Sequence, residues 1–443
     1  MPDAVPLPPD LAEVPSGQGF RIGVYLEHLE EAAALWEQRP ADRLNPDLAW
    51  TDLGYDEGRL EAHLDALVLG GDLALAVCRQ QALAGDAGEL HAALLVFCRQ
   101  NRPDLVMPAV EAVDPEDGLA LDALAEALAA EMPAGWEAGV WSRTADPRWL
   151  RIAAALVAAR GPAGRDALRA ALPGAAGPTR ALVARALGRA GSPDLAALLS
   201  DADPAVRLEA GIALLRTGTP GGQAAALPAV RDDDALLPLL GLAGRPSAVA
   251  WLAGRLGDGG PAAAHALGLL GDAAAVPALV AALDGPEPDA AALALFVMTG
   301  ADLRAETVVP DVPDEDERFP GETVDPDAEA RGTTVVGIST DPQAWADWWM
   351  ANGGRFPLGT RHRLGWPAGP ASQVASLASP DVPHTLRGLI ADELAVRYRL
   401  TVAFDATWGV ARQRAALAEM QVWAQSHPAV PGRWYVGGQF ADR

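Results

Sequence analysis

Apolar positions recur at helical spacing along most of this chain. The stretch 201–218, DADPAVRLEAGIALLRTG, shows the unit most fully. Asp203 is a helix-capping residue type and Pro204 suits the first helical position, where a missing N–H costs nothing. Val206, Ala210, Ala213 and Leu214 then fall on one face, and Gly218 stops the helix. At 260–283 the same pattern returns with a second helix attached: an Ala/Leu helix, a Gly-Asp turn, another Ala/Leu helix. One such hairpin cannot bury its apolar face alone, so successive copies must stack.

The pattern predicts a helix over 21–39 and helix pairs over 53–84, 86–113, 146–172, 178–199, 203–230, 234–256 and 260–283. A single helix is predicted at 118–132, and 286–300 reads as half of one more pair. Successive pairs are spaced roughly 26 to 31 residues apart, as in helical repeat arrays. After residue 300 the texture changes. Carboxylates and prolines crowd 301–332, which reads as an acidic flexible loop; a calcium site is the alternative, but the EF-hand alternation is missing. TTVVGIS at 333–339 reads as a short strand or an extended connection. Helical spacing resumes at 342–352, 371–377, 382–400 and 408–426. Trp345, Trp348 and Trp349 share a helix face there and are expected to be core.

The expected fold class is therefore all-α: a solenoid of stacked helical hairpins over 53–300, with a Trp-rich helical unit over 333–443 that closes one end. Residues 1–20 are Pro-rich and read as disordered, and 21–52 as an N-terminal helix with its connection.

Composition narrows the functional classes. The chain has 443 residues and a net charge of −25, which disfavours nucleic acid and anionic membranes as partners. Its 34 basic residues are all arginine. Without lysine there is no Walker A loop, kinase ATP site or pyridoxal Schiff base. Cys78 and Cys98 sit in apolar helical runs and read as core residues of a protein in a reducing cytoplasm. The first residues lack a basic, then apolar, signal pattern, and no apolar run is long enough to insert in a membrane.

Candidate chemistry is sparse. His63 and Asp65 stand two apart on a helix and point in different directions, which argues against a relay. His28, Glu30 and Glu31 form an isolated group, and the seven histidines show no metal-ligand spacing. No catalytic residue, metal or cofactor is expected. The loop RFPLGTRHRLGWP is the candidate partner site. Arg361 and Arg363 point to one side of an extended chain with Trp366 nearby, a composition enriched in interface hot spots. The alternative is that both arginines pair with the chain's own carboxylates.

Asp203, Pro204, Val206, Arg207, Ala210, Leu214 and Gly218 resemble, position by position, short HEAT repeats of the phycobilisome-lyase type. More broadly, YLEHLEEAAALW, GRLEAHLDALVLGGDLAL and WWMANGGRFPLGTRHRLG are similar to an uncharacterised family of bacterial proteins with HEAT-like repeats, often encoded beside type VI secretion genes. The resemblance covers about 24–425 and carries no catalytic residues over. It implies a HEAT-like solenoid acting near a contractile injection machine. The expected function is a non-enzymatic, cytoplasmic protein-binding scaffold or adaptor, whose partner is a type VI secretion component or effector. Alternatives are an immunity-type toxin binder and a lyase or isomerase acting on a bound cofactor.

Overall fold

The computed structural model describes residues 18–45, 48–310 and 332–441. The expected loops over 1–17 and 311–331, with the calcium alternative, lie outside the described residues. The helices run in chain order as α1 (Gly19–Leu44), α2 (Leu53–Leu69), α3 (Gly71–Ala84), α4 (Ala87–Arg99), α5 (Pro103–Ala112), α6 (Gly118–Glu131) and α7 (Glu137–Trp141). Next come α8 (Pro147–Arg160), α9 (Arg165–Ala171), α10 (Gly177–Arg189), α11 (Pro204–Arg216), α12 (Pro220–Ala229), α13 (Leu237–Ala243) and α14 (Ala248–Ala253). The last are α15 (Gly260–Leu270), α16 (Val276–Ala282), α17 (Pro288–Thr299), α18 (Pro342–Asn352), α19 (Pro370–Ala378), α20 (His384–Tyr398) and α21 (Val410–Ser426). The protein is mainly α-helical with very little sheet.

Side-chain caps start many of these helices as the sequence predicts. Asp203 accepts from the Ala205 N–H, Asp146 from Arg148 and Asp341 from Gln343, and Asp86 forms a reciprocal capping box with Glu89. One helix runs past its predicted end: α1 continues through Pro40 to Leu44. The missing Pro40 N–H removes one helical bond. Arg39 and Arg43 on this last stretch both donate to the Thr407 carbonyl, at 3.1 and 2.6 Å, and so tie the extension down.

Helices α1, α4, α6, α8, α10, α11, α13, α15 and α17 pack side by side in that order. Intervening helices pack on this row: α3 and α5 lie on α4, α12 on α11, α14 on α15 and α16 on α17. Burial is most complete in α4, where every residue from Ala87 to Cys98 is buried. Small residues set the spacing. A Cβ on Gly88 would meet the Ala33 Cβ at 2.8 Å, and one on Gly268 would meet the Ala294 Cα at 2.9 Å. Both helix pairs approach until backbone and methyl groups touch.

The segment after α17 departs from the expected arrangement in two ways. The expected loop over 301–332 begins as strand β1 (Arg304–Pro310), paired antiparallel with β2 (Gly332–Ile338), Arg304 opposite Ile338. The Thr-Val-Val runs on both strands supply the β-branched residues that such a pair favours. Then α18 packs on α16 and β3 (His362–Arg363) on α17, but the chain beyond them leaves that end. Two short hairpins, β3 with β4 (Trp366–Pro367) and β5 (Tyr435–Val436) with β6 (Gln439–Phe440), flank α19, α20 and α21. Helix α20 lies on α13 and α11, and α21 reaches α2. The C-terminal segment thus runs back along the row towards its beginning.

Helix polarity explains this course. The last carbonyls of each helix lack intrahelical donors and carry partial negative charge. The returning segment supplies donors to one helix end after another. The Leu364 N–H meets the Val297 carbonyl of α17 at 2.7 Å, and Arg361 Nε meets that of Leu270 at the end of α15 at 3.0 Å. Arg397 Nη2 meets Gly241 of α13 at 2.9 Å, Arg399 meets Thr217 just after α11 at 2.9 Å, and Arg412 meets Ala159 of α8 at 2.9 Å.

Candidate functional site

Arg361 and Arg363 lie in β3 and beside it, and both are fully buried. Their guanidinium groups converge on Glu393 of α20, which is equally buried; Arg363 Nη2 stands 2.7 Å from Oε2, and Arg361 Nη2 bonds Oε1. Arg397, one turn further along α20, reaches Oε1 at 3.0 Å, and Gln373 donates to it at 2.9 Å. The shared side predicted for the two arginines is real, but it faces inward. This corrects their expected role as a partner anchor: they pair with the chain's own carboxylate, and neither reaches solvent. Burial acts to raise the Glu393 carboxyl's pKa, but the three arginines outweigh it and hold the group below the usual carboxylate range. Trp366, the first residue of β4, is 70% exposed.

A groove of about 920 Å³ lies between the row and the returning segment. Helices α2, α4, α6, α8, α10 and α11 contribute one wall; Asp405, Thr407, Trp408 and the start of α21 contribute the other. Charged side chains line it, and most are already paired between neighbouring helices. Arg151 of α8 donates to Asp122 of α6 and, at 3.1 Å, to Thr179 Oγ1 of α10. Arg185 of α10 donates to Glu209 of α11 at 3.0 Å. Arg99, beside the groove on α4, joins Glu131 and Glu61, and Arg39 joins Glu57 at 2.9 Å. These pairs set the register of adjacent helices.

Asp405 is the returning segment's counterpart. It pairs with Arg189 at 2.9 Å and accepts from the Thr407 N–H and hydroxyl. Burial opposes its charge, but Arg189 leads the groups that outweigh burial and bring its pKa down to about 2. Arg412 stacks over Trp408, 3.5 Å from the ring centroid, and the Val410 N–H is bound by Glu57 at 2.6 Å.

His91 is the groove's histidine. It is 6% exposed and stacks on Trp36 with ring centroids 4.7 Å apart. Burial, and secondarily Arg39, lowers its pKa to about 3, so it is neutral at physiological pH. Its Nδ1 has no carboxylate to orient it. A general-base relay needs such an orienting partner. His63 and Asp65 diverge as their spacing predicts: His63 Nδ1 lies 2.9 Å from His28 Nδ1, while Asp65 stands 3.6 Å from Arg99. Among the described residues no three His, Cys, Asp or Glu side chains come together as a metal site.

Sequence reasoning missed Glu393 and the groove pairs. One signal was present. Glu393 and Arg397 stand four apart in DELAVRY, on a helix whose neighbours Ile390 and Leu394 are apolar. Charges at that spacing inside an apolar face mark a buried pair. No family model, curated protein or solved structure matches the chain.

Proposed function

We propose that this protein is a non-enzymatic binding scaffold, a HEAT-like α-solenoid clasped by its own C-terminal segment, and that the groove between row and clasp receives a segment of another protein. The observation that carries this reading is the groove itself, about 920 Å³ in volume and walled by six helices and the clasp. Its polar groups are held in fixed positions by ion pairs, which suits recognition of a polar chain segment. The net charge of −25 favours a basic partner and speeds its encounter. The resemblance to HEAT-like proteins encoded beside type VI secretion genes points to a component or effector of that machine, met in the cytoplasm. Among the described residues no helix is long and apolar enough to cross a membrane.

The test uses a groove residue whose change leaves the fold intact, Arg414, which is exposed on α21. The variant Arg414→Glu should keep its melting temperature and lose the protein that co-purifies with the wild type from the native cell. An unchanged set of co-purifying proteins would remove the groove as the binding surface.

A further inference from the structure

Arg387 is a buried arginine of a different kind. It is fully buried, like Arg361, but among the described residues it has no carboxylate within ion-pairing distance. Its Nε donates to the Leu377 carbonyl at 2.9 Å, and neither Nη1 nor Nη2 has a hydrogen-bond partner among the described residues. A buried cation with idle donors is costly, and proteins compensate it with an opposing charge and acceptors. Trp50 stacks on the guanidinium at 4.1 Å and Phe404 flanks it at 5.6 Å, so part of the charge meets π-faces. Ring faces accept nothing in the guanidinium plane, where the four free N–H bonds point.

The position of the group matters. Arg387 is the fourth residue of α20, and helical side chains lean toward the N-terminus. Leu377, its one acceptor, sits in the last turn of α19. The guanidinium therefore occupies the corner between the two helices, ahead of the first turn of α20. That turn has no side-chain cap, because Pro383 holds the N-cap position, and it contains no acidic residue. An uncapped helix N-terminus offers open N–H groups and partial positive charge to an anion.

The surroundings are cationic as well. His384, the first residue of α20, is partly exposed, and its Nδ1 has no hydrogen-bond partner among the described residues. It lies in the field of Arg43, Arg387 and Arg39. The nearby carboxylates are committed elsewhere: Asp405 to Arg189 at 2.9 Å and Asp381 to Arg304 at 2.8 Å.

We propose that the corner between α19 and α20 is an oxoanion site, in which the Nη groups of Arg387, the ring of His384 and the first N–H groups of α20 hold a carboxylate or a phosphate. A guanidinium fork matches either group in a bidentate manner. The aromatic clamp keeps the fork in place before the anion arrives, and Trp50 is itself pinned through Nε1 to the Ala378 carbonyl at 3.3 Å. The site is separate from the groove and does not depend on the scaffold reading.

The test is calorimetric titration of the full chain with sodium phosphate and, separately, sodium acetate, at constant ionic strength. The proposal expects saturable one-to-one binding of at least one anion, and the two arms identify which chemistry the site prefers. Arg387→Met keeps the side chain between Trp50 and Phe404 without its donors and should weaken binding at least tenfold. Should that variant fail to fold, His384→Ala, at a partly exposed position, should still weaken binding severalfold. Arg414→Ala, in the groove, should bind as the wild type does. The proposal is overturned if neither anion saturates, or if His384→Ala and any folded Arg387→Met bind as tightly as the wild type.

Discussion

Glu393 Oε2 and Arg363 Nη2 meet at 2.7 Å, and neither side chain is exposed. One carboxylate thus faces three buried guanidinium groups, those of Arg361, Arg363 and Arg397. The excess positive charge rests on helix ends. Leu269 accepts from Arg361 at 2.9 Å and from Arg363 at 3.0 Å, and Gly241 accepts from Arg397. The cluster pins the returning segment to α13 and α15 by joining a side-chain charge to two helix dipoles.

Removing the Glu393 charge leaves three buried cations with no opposing charge bonded to them among the described residues. Glu393→Gln should lower stability by about 3–5 kcal/mol, the usual cost of breaking a buried pair from one side. Urea unfolding followed by circular dichroism measures this directly. The double variant Arg361→Ala with Arg363→Ala should also melt far below the wild type, because both side chains are structural. A melting temperature unchanged in either variant would contradict the pinning role.

Acid should loosen the clasp in a defined window. The Asp405 pKa is lowered in the fold from 3.8 to about 2, so its contribution is complete above its unfolded value and is lost as pH falls from about 4 to about 2. Glu393, depressed below 4.5, acts with the same sign. Asp405→Asn should abolish part of this acid dependence. Stability measured from pH 5 to pH 2 should fall less steeply for the variant than for the wild type.

His91 titrates with the same sign for a different reason. Its pKa falls from 6.5 to about 3 on folding, so the unfolded chain binds the proton more readily between those values. Stability contributed by the neutral ring is present above pH 6.5 and is lost as pH falls towards 3. His91→Phe retains a ring against Trp36 and removes the titration. The variant should show a flatter stability profile between pH 6 and pH 4, read from thermal unfolding at each pH.

The close helix crossings should tolerate no side chain. At Gly268 an added Cβ would lie 3.1 Å from the Ala294 Cβ and 2.9 Å from its Cα. Gly268→Val should therefore destabilise the protein by about 1–3 kcal/mol through overpacking. Gly221, with nothing within 4 Å of a Cβ, serves as the control, and Gly221→Ala should change stability little.

The helices were legible because caps and spacing act locally. Asp203, Asp146 and Asp341 each announce a helix that begins at the following proline. Trp345 was legible as core by the same logic and is 1% exposed, with its indole N–H on the Ser339 carbonyl at 2.6 Å. Trp348 and Trp349 are only half-buried and close instead on Phe356, at 6.0 and 5.4 Å between centroids. What stayed hidden was the fate of the arginines. Whether Arg361 faces solvent or Glu393 depends on where a segment some thirty residues further on comes to rest, as their separation of 32 positions shows. The groove was hidden for the same reason, since one wall comes from residues near 60 and the other from residues near 410. Periodicity reports which face of a helix is apolar, and it says nothing of which distant helix covers that face.

The central claim is that the C-terminal segment returns to the start of the row and closes the groove. Gly54 and Val410 test it, because a Cβ on Gly54 would lie 3.6 Å from the Val410 Cβ, the separation a disulfide requires. The native Cys78 and Cys98 are buried, and burial raises both thiols to about 12, so they will not compete. The variant Gly54→Cys with Val410→Cys should form an intramolecular disulfide under mild oxidation when folded and lose that efficiency in urea. Thiols that stay reduced in the folded protein, or that link only between molecules, would contradict the closed groove.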